Sequence, residues 1–178
     1  MVFESPTYRV EERVNEIELR CYEPYVVAET LVEGPLERAG NGGFRLLAGY
    51  ISGGNKTTDG DSKNIAMTTS VAQDRVGDQY RVRFMMPTQY TVESLPTPND
   101  SRVTISEVGP QCFAAIRYRG RWTRKGYERH CRNLTGAISQ AGHTVLGEPV
   151  WARYDPPWTP WFLRRNEILV ALDDQAFD

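Results

Sequence analysis

Few side chains in this sequence are of the types that perform acid–base, nucleophilic or metal chemistry. The 178 residues include two His, His130 and His143, and three Cys, Cys21, Cys112 and Cys131. No Cys-x-x-Cys pair occurs and no two His stand at helical spacing, so a zinc site is not expected, and free thiols are the expected state of the cysteines. No Ser-His-Asp or paired-carboxylate pattern is evident, so we favour a binding protein over an enzyme, without excluding an enzyme.

Aromatic side chains are abundant by contrast, with nine Tyr, six Phe and four Trp. Ring surface in excess of acid–base groups favours a protein that holds an apolar ligand, although aromatic residues also fill ordinary cores. The balance of 21 Lys+Arg against 23 Asp+Glu, a net charge of −2, predicts neither nucleic acid nor an anionic membrane as a partner, although it is compatible with a local basic patch.

The length fits one soluble domain, 1–178. The opening residues contain Glu4 and Arg9 and no apolar run, and no stretch approaches the about 18 apolar residues of a membrane span. We therefore expect a cytoplasmic protein. The sequence leaves the oligomeric state open, with a monomer slightly favoured.

Short runs rich in β-branched and aromatic residues predict strands throughout the chain. The predicted strands are Tyr8–Arg13, Ile17–Tyr22, Tyr25–Val32, Ile65–Gln73, Tyr80–Met86, Cys112–Tyr118, Val150–Tyr154 and Glu167–Leu172.

Two segments with apolar residues at helical spacing predict helices. The first follows Gly34-Pro35 and ends at Gly53-Gly54, but its four interior glycines predict a start near Asn41 or a break there. The second follows Thr123 as N-cap and ends at Gly142.

The order of these elements repeats in two halves, 8–87 and 102–172. Pro24 and Gly34 align with Pro110 and Gly120, and Leu47, Gly49, Ile51 and Ser52 align with Leu134, Gly136, Ile138 and Ser139 after one inserted residue. We interpret this as an internal duplication of a strand-helix-strand-strand unit. Such a unit predicts one antiparallel or mixed sheet curved towards a barrel, with two helices packed on it and a ligand site at the seam.

Five stretches of the sequence resemble one known family. They are Glu18-Leu19-Arg20-Cys21-Tyr22, Tyr50-Ile51-Ser52-Gly53, Ile65-Ala66-Met67-Thr68, Arg83-Phe84-Met85-Met86-Pro87, and Tyr154-Asp155-Pro156-Pro157 with Arg164-Arg165-Asn166-Glu167-Ile168. Their order and their spread over almost the whole chain resemble the SOUL/haem-binding protein family. The resemblance implies an α+β fold, a distorted antiparallel or mixed β-barrel of about eight strands flanked by two helices and built from two similar halves. It also implies a reversible carrier or buffer of haem or another tetrapyrrole, bound non-covalently in a hydrophobic groove beside the first helix.

The same resemblance assigns the residues of that groove. An apolar wall would come from the first helix and its neighbours, namely Phe44, Leu47, Ala48, Ile51, Met67 and Met85. The porphyrin propionates would meet Arg45, Lys56 and Lys63. For Leu47 and Ile51 the alternative is that they simply face the sheet. Cys21 stands where some members carry a His considered as an iron ligand, so Cys21 is the metal-ligand candidate, and binding without an axial protein ligand is the alternative.

The architecture is also similar to the effector-binding domains of GyrI-like regulators, which bind small amphipathic molecules in the cleft between the halves. This alternative, an effector or partner-binding module, assigns Glu167, Tyr154 and Trp158 to the cleft. Glu167 would suit a cationic ligand, or else form a structural salt bridge with Arg164 or Arg165. Trp158 and Trp161 belong to the loop that contains Pro156–Pro160. Together with Trp151 they would either cover a groove or hold this loop in place by packing against its prolines.

Overall fold

The computed structural model describes residues 4–155 and 158–173. Among them are two helices and eleven strands, which confirms the α+β class. In chain order the elements are β1 (Tyr8–Val14), β2 (Ile17–Tyr22), β3 (Tyr25–Val32), α1 (Leu36–Ile51), β4 (Asn55–Lys56), β5 (Val71–Val76), β6 (Gln79–Met85), β7 (Thr97–Pro98), β8 (Thr104–Val108), β9 (Gln111–Arg119), α2 (Arg124–Gln140), β10 (Val145–Arg153) and β11 (Arg165–Leu172). Neither helix has the length and apolar character needed to cross a membrane.

The chain forms two compact units. The described residues of the first are 4–6 and 24–109, and those of the second are 7–23, 110–155 and 158–173. The predicted halves grouped the first two strands with the first helix. These strands instead belong to the second unit, because β2 pairs with β9 along its whole length, from Ile17 to Tyr22.

The first unit is an antiparallel sheet in the order β5-β6-β3-β8, with α1 packed on β3 and β6. The helix is continuous from Leu36 to Ile51, so the predicted start near Asn41, or break there, is wrong. The four interior glycines do not interrupt the helix, and the packing of α1 on β6 requires one of them. A Cβ at Gly43 would lie 2.5 Å from Cγ2 of Val82, so the helix approaches β6 too closely for any side chain there.

The chain between α1 and β5 differs from the expected strand Ile65–Gln73, since β5 begins only at Val71. Ile65 instead donates its backbone N–H to the Ile51 carbonyl, and the Thr68 hydroxyl donates to the Met85 carbonyl. Residues 65–70 therefore attach to their neighbours through a few separate hydrogen bonds rather than through a strand ladder.

The second unit is an antiparallel sheet in the order β1-β2-β9-β11-β10, with α2 packed against β9, β11 and β10. Thr123 caps this helix as predicted, because its hydroxyl accepts the N–H of Gly126, and Leu134 and Ile138 face the sheet as core. Gly142 follows the helix with φ +84°, a conformation that favours glycine.

Neither of these two sheets is closed into the predicted distorted β-barrel. A barrel requires every strand to pair on both sides, but within the described residues β8 pairs only with β3 and β1 only with β2. Strand β1 is suited to an edge, because it carries Arg9, Glu11, Glu12 and Arg13 and has a register shift between Val10 and Glu12. Charges and bulges on edge strands disfavour further pairing.

Candidate functional site

The outer face of α1 in the first unit is the part of the predicted groove that the structure leaves accessible. Phe44 and Arg45 are exposed and Ala48, one turn after Phe44, is half-buried. Leu47 and Ile51 are buried in the core of the unit, as the alternative assignment to the sheet side predicts. The apolar wall on α1 is therefore narrower than the sequence suggested.

Phe44 is the aromatic side chain of this face. The residue is 37% exposed, and its ring contacts the ring of Phe84 edge-on, with centroids 5.4 Å apart. One edge of Phe44 is thus held by the core while part of the ring remains available to a flat ligand. Aromatic pairs of this geometry are stabilising in addition to the area that they bury.

The two methionines assigned to the groove lie in different places. Met67 is half-buried and packs against the core cluster that contains Leu47 and Ile51. Met85 is buried on the other face of β6, because Phe84 in the same strand faces α1 and neighbouring residues of a strand point to opposite faces. The structure therefore does not bring Met85 together with Phe44 and Ala48.

Of the three cations assigned to the propionates, Lys63 has a side chain that contacts an aromatic ring. Its ammonium lies 4.8 Å from the centre of the Tyr90 ring, a partner that the sequence did not indicate. Tyr90 also packs against the core of the unit, so it connects Lys63 to the apolar residues beneath α1. Arg45 and Lys56 are exposed.

The loop between α1 and β5 is tied at its base by Asn55, which is 2% exposed. Its amide nitrogen donates to the carbonyls of Tyr50 at 2.7 Å and Lys63 at 2.8 Å, and its amide oxygen accepts the Lys63 N–H at 2.9 Å. The backbone of Lys63 is consequently fixed to the C-terminal turn of α1. Only its side chain is left to adapt to a ligand.

In the second unit, Glu167 is a fully buried carboxylate surrounded by arginines. Arg20 donates to both of its oxygens, at 2.8 and 3.3 Å, and is itself 1% exposed. Arg165 donates to Oε1 at 2.7 Å and Arg117 at 3.1 Å. The expected structural pairing with Arg165 is therefore present, whereas Arg20 and Arg117 were not identified from the sequence.

Tyr154 completes this cluster, since its hydroxyl donates to Oε2 of Glu167 at 2.8 Å and its ring lies 4.0 Å from the Arg165 guanidinium carbon. Burial alone would raise the pKa of Glu167, but the hydrogen bonds and charges of Arg20 and Arg165 outweigh it and lower the pKa to about 2. Burial and the Glu167 charge raise the pKa of Tyr154 well above its ordinary value. The carboxylate is already neutralised, which leaves little negative potential for a cationic ligand.

Cys21 is joined to Cys112 in a disulfide, and the two residues are directly opposite each other in β2 and β9. The expectation that these cysteines are free thiols is therefore wrong. In the oxidised state Cys21 has no thiolate to offer to iron. Cys131 on α2 is a free, half-buried thiol, and burial raises its pKa.

The tryptophans expected to act together differ in how far each is buried. Trp151 is 1% exposed and contacts Tyr127 of α2, whereas Trp158 is 82% exposed and Trp161 is 49% exposed. Pro156 and Pro157, in the same predicted loop, lie outside the described residues. Trp151 is therefore a core residue of the second unit, and Trp158 lies on its surface.

Residues 3–171, nearly the whole chain, match the sequence profile of the SOUL heme-binding protein family. No curated protein sequence matches the chain significantly.

Several solved structures share the fold. The C-terminal domain of EcmrR aligns with a TM-score of 0.62 and 9% identity over 93% of this chain and 98% of its own. A hydrolase from Listeria innocua aligns with a TM-score of 0.60 and 9% identity over 92% and 94% of the two chains. SAV2435, solved bound to tetraphenylphosphonium, aligns with a TM-score of 0.52 and 9% identity over 90% and 95%. At these identities the likeness establishes a common fold.

Proposed function

The chain belongs to the SOUL heme-binding protein family, and we propose that it binds haem or a related tetrapyrrole reversibly and without a covalent bond, as a carrier or buffer. The family match over residues 3–171 is the observation on which this proposal rests. The face of α1 that carries Phe44 and Ala48 is the proposed binding surface.

The residues of this face fit one side of a porphyrin. The partly exposed ring of Phe44 offers a stacking surface, and Met67 borders the same apolar core. Arg45 and Lys63 supply positive charge for the propionates. Bound haem would supply the iron, and these residues would orient the macrocycle and shield one of its faces from water.

The protein does not need an axial iron ligand for useful affinity. A micromolar dissociation constant corresponds to about 8 kcal/mol. Burial of part of a macrocycle face, together with charge-assisted contacts to the propionates, can supply this after the costs of association. Since Cys21 is in a disulfide, we expect haemin and metal-free protoporphyrin to bind with similar affinity.

Titration of the protein with haemin and with protoporphyrin, followed by the porphyrin absorption band, tests the proposal. We expect saturable shifts with both ligands at micromolar protein, and a weaker affinity in Phe44→Ala. Phe162→Ala is a matched control because Phe162 is an exposed phenylalanine of the second unit. If neither ligand shifts its band, or if both variants lose affinity equally, the proposed site is wrong.

A second candidate function is an effector-binding module of the GyrI-like kind, favoured by the fold shared with SAV2435, which was solved with tetraphenylphosphonium. The proposed ligand is a small amphipathic molecule, and the proposed residues are Glu167, Tyr154 and Trp158. The ion pairs of Glu167 oppose a cation, because a ligand charge must compete with Arg20 and Arg165 for the same oxygens.

Tetraphenylphosphonium and protoporphyrin discriminate the two functions. An effector module that uses Glu167 should bind tetraphenylphosphonium, and Glu167→Gln, measured where the variant is still folded, should weaken this cation while leaving protoporphyrin bound. Tight porphyrin binding without any response to the cation supports the tetrapyrrole carrier.

A further inference from the structure

Three polar residues form a row across the sheet of the second unit, on the face covered by α2. Tyr118, Asn166 and Arg153 lie directly opposite one another in β9, β11 and β10. This face is identified by Tyr118, whose ring stacks on His130 of α2 with centroids 4.0 Å apart. Glu167, next to Asn166, points to the opposite face, so its carboxylate does not neutralise this row.

Arg153 is a buried cation without a carboxylate partner among the described residues. It is 7% exposed, and its guanidinium carbon lies 5.0 Å from the centre of the Trp122 ring and 5.7 Å from that of Trp151. Burial lowers the pKa of Arg153 to about 10. Indole rings attract a guanidinium, but they offer no acceptor atoms for its five N–H groups, which therefore remain available to a ligand rich in acceptors.

Several polar atoms around Arg153 are buried without a well-formed hydrogen bond. Four of them are buried and make no hydrogen bond of good geometry within the described part of the chain, namely Trp122 Nε1, Asn166 Oδ1, and the pair Trp151 Nε1 and Tyr118 Oη, which face each other. Both indoles are donors only, and a tyrosine hydroxyl can donate. Buried donors without partners are rare in folded proteins, so a group of them beside a desolvated cation requires an explanation.

A second arginine adds positive charge near the same ring. The Arg164 guanidinium carbon lies 4.6 Å from the centre of Trp122, and its Nε donates to the Thr159 carbonyl at 2.8 Å. Trp122 is thus in contact with two guanidinium groups. The surroundings select a ligand that is negatively charged and rich in acceptors.

We propose that this cluster is a binding site for the carboxylate of a small organic acid, held by Arg153 and the indole N–H groups of Trp122 and Trp151 on the α2 face of the sheet. A carboxylate is planar and accepts paired hydrogen bonds from a guanidinium, and it would satisfy the buried donors at the same time. The indole rings favour a flat or aromatic body for the acid. The site lies in the second unit and does not depend on the proposed tetrapyrrole surface on α1.

Nuclear magnetic resonance of the indole N–H groups tests this directly. The protein has four Trp, so four indole resonances are expected, each assigned by a Trp→Phe substitution. At constant ionic strength, benzoate should shift the Trp122 and Trp151 resonances saturably and leave those of the exposed Trp158 and Trp161 in place. Benzamide has the same ring without the charge and should shift none of them.

The matched variants are Arg153→Met and Arg121→Met. Both remove one guanidinium beside a tryptophan, but Arg121 is exposed and lies 5.2 Å from the centre of Trp161. We expect Arg153→Met to weaken benzoate at least about tenfold and Arg121→Met to leave it unchanged, because one charge-assisted contact is worth about that factor. Since Met replaces an unpaired buried charge with an apolar chain of similar length, Arg153→Met should fold.

The wild-type titration decides the proposal even if a variant does not fold. The absence of any saturable benzoate shift, or equal shifts with benzamide, would overturn it. Phosphate serves as the third probe, and tighter binding of phosphate than of benzoate would overturn the assignment to a carboxylate.

Discussion

Arg20 and Glu167 form a two-point ion pair across 147 positions of the sequence, with Nη1 of Arg20 2.8 Å from Oε2 and Nη2 3.3 Å from Oε1. Arg20 is in β2 and Glu167 in β11, and β9 lies between these strands. Both side chains are almost fully buried, so their charges must be compensated within the protein. Arg20 also pairs with the partly buried Glu18 at 2.7 Å, and Glu167 also pairs with Arg165 and Arg117. The pair connects an N-terminal strand to the last strand of the second unit.

Removing one partner should destabilise the protein strongly. Glu167→Gln leaves Arg20 buried beside a neutral amide with only Glu18 as a carboxylate partner, and we expect a loss of about 2 to 4 kcal/mol in the free energy of unfolding, measured by urea denaturation. Arg102→Gln is the control, because Arg102 pairs with Asp100 on the surface and should matter little. Equal midpoints for Glu167→Gln and the wild type would contradict a stabilising role for the pair.

The same carboxylate predicts how stability depends on acid. The pKa of Glu167 is about 2 in the folded protein against 4.5 for an ordinary glutamate, so the folded state binds its proton less readily than the unfolded state does. Its contribution is fully present above about pH 4.5 and is lost as the pH falls towards 2. Urea denaturation at a series of pH values should show this loss in the wild type, and Glu167→Gln should lack this component.

The Cys21–Cys112 disulfide should stabilise the second unit. The bond closes a loop between residues 91 positions apart, and the double variant Cys21→Ser/Cys112→Ser should lose about 2 to 4 kcal/mol relative to the oxidised wild type. Dithiothreitol should bring the wild type close to the double variant while leaving the double variant itself unchanged. Cys131→Ser, which removes the free thiol, is the control and should keep the dependence on reductant.

Two glycines of α1 should respond in opposite ways to alanine. Gly43→Ala places a methyl group 2.5 Å from Val82 Cγ2, so α1 must shift and we expect a loss of about 1 to 3 kcal/mol. Gly49 is exposed with nothing within 4 Å of its Cβ position, and Gly49→Ala should stabilise by up to about 1 kcal/mol. Thermal unfolding compares the pair, and a stabilising Gly43→Ala would contradict the close packing described for α1.

Local sequence patterns predicted those elements whose ends are marked by residues with special backbone geometry. Strands β2 and β3 match the predictions at both ends. Asn15 before β2 has φ +55° and Gly34 after β3 has φ +109°, so these turn residues define where β2 begins and where β3 ends. The cap of α2 at Thr123 is another local interaction of this kind.

Features that depend on distant residues were not predictable in the same way. The glycines of α1 predicted a break because the close approach of Gly43 to Val82 requires knowledge of the packed sheet. The partners Arg20 and Cys112 become evident only once the order β2-β9-β11 is known. Similarly, burial was needed to separate Leu47 and Ile51, which face the core, from Phe44 on the open side of α1.

The bond between Cys21 and Cys112 encloses residues 24–109, the continuous stretch that builds most of the first unit. During synthesis at about 5 to 20 residues per second, Cys112 emerges roughly 5 to 20 s after Cys21. The first unit can therefore fold before β9 has been synthesised, while β2 still lacks this partner. The second unit contains the first two strands of the chain but is completed last. Once the bond has formed, a protease that cuts within residues 24–109 leaves the two fragments covalently joined.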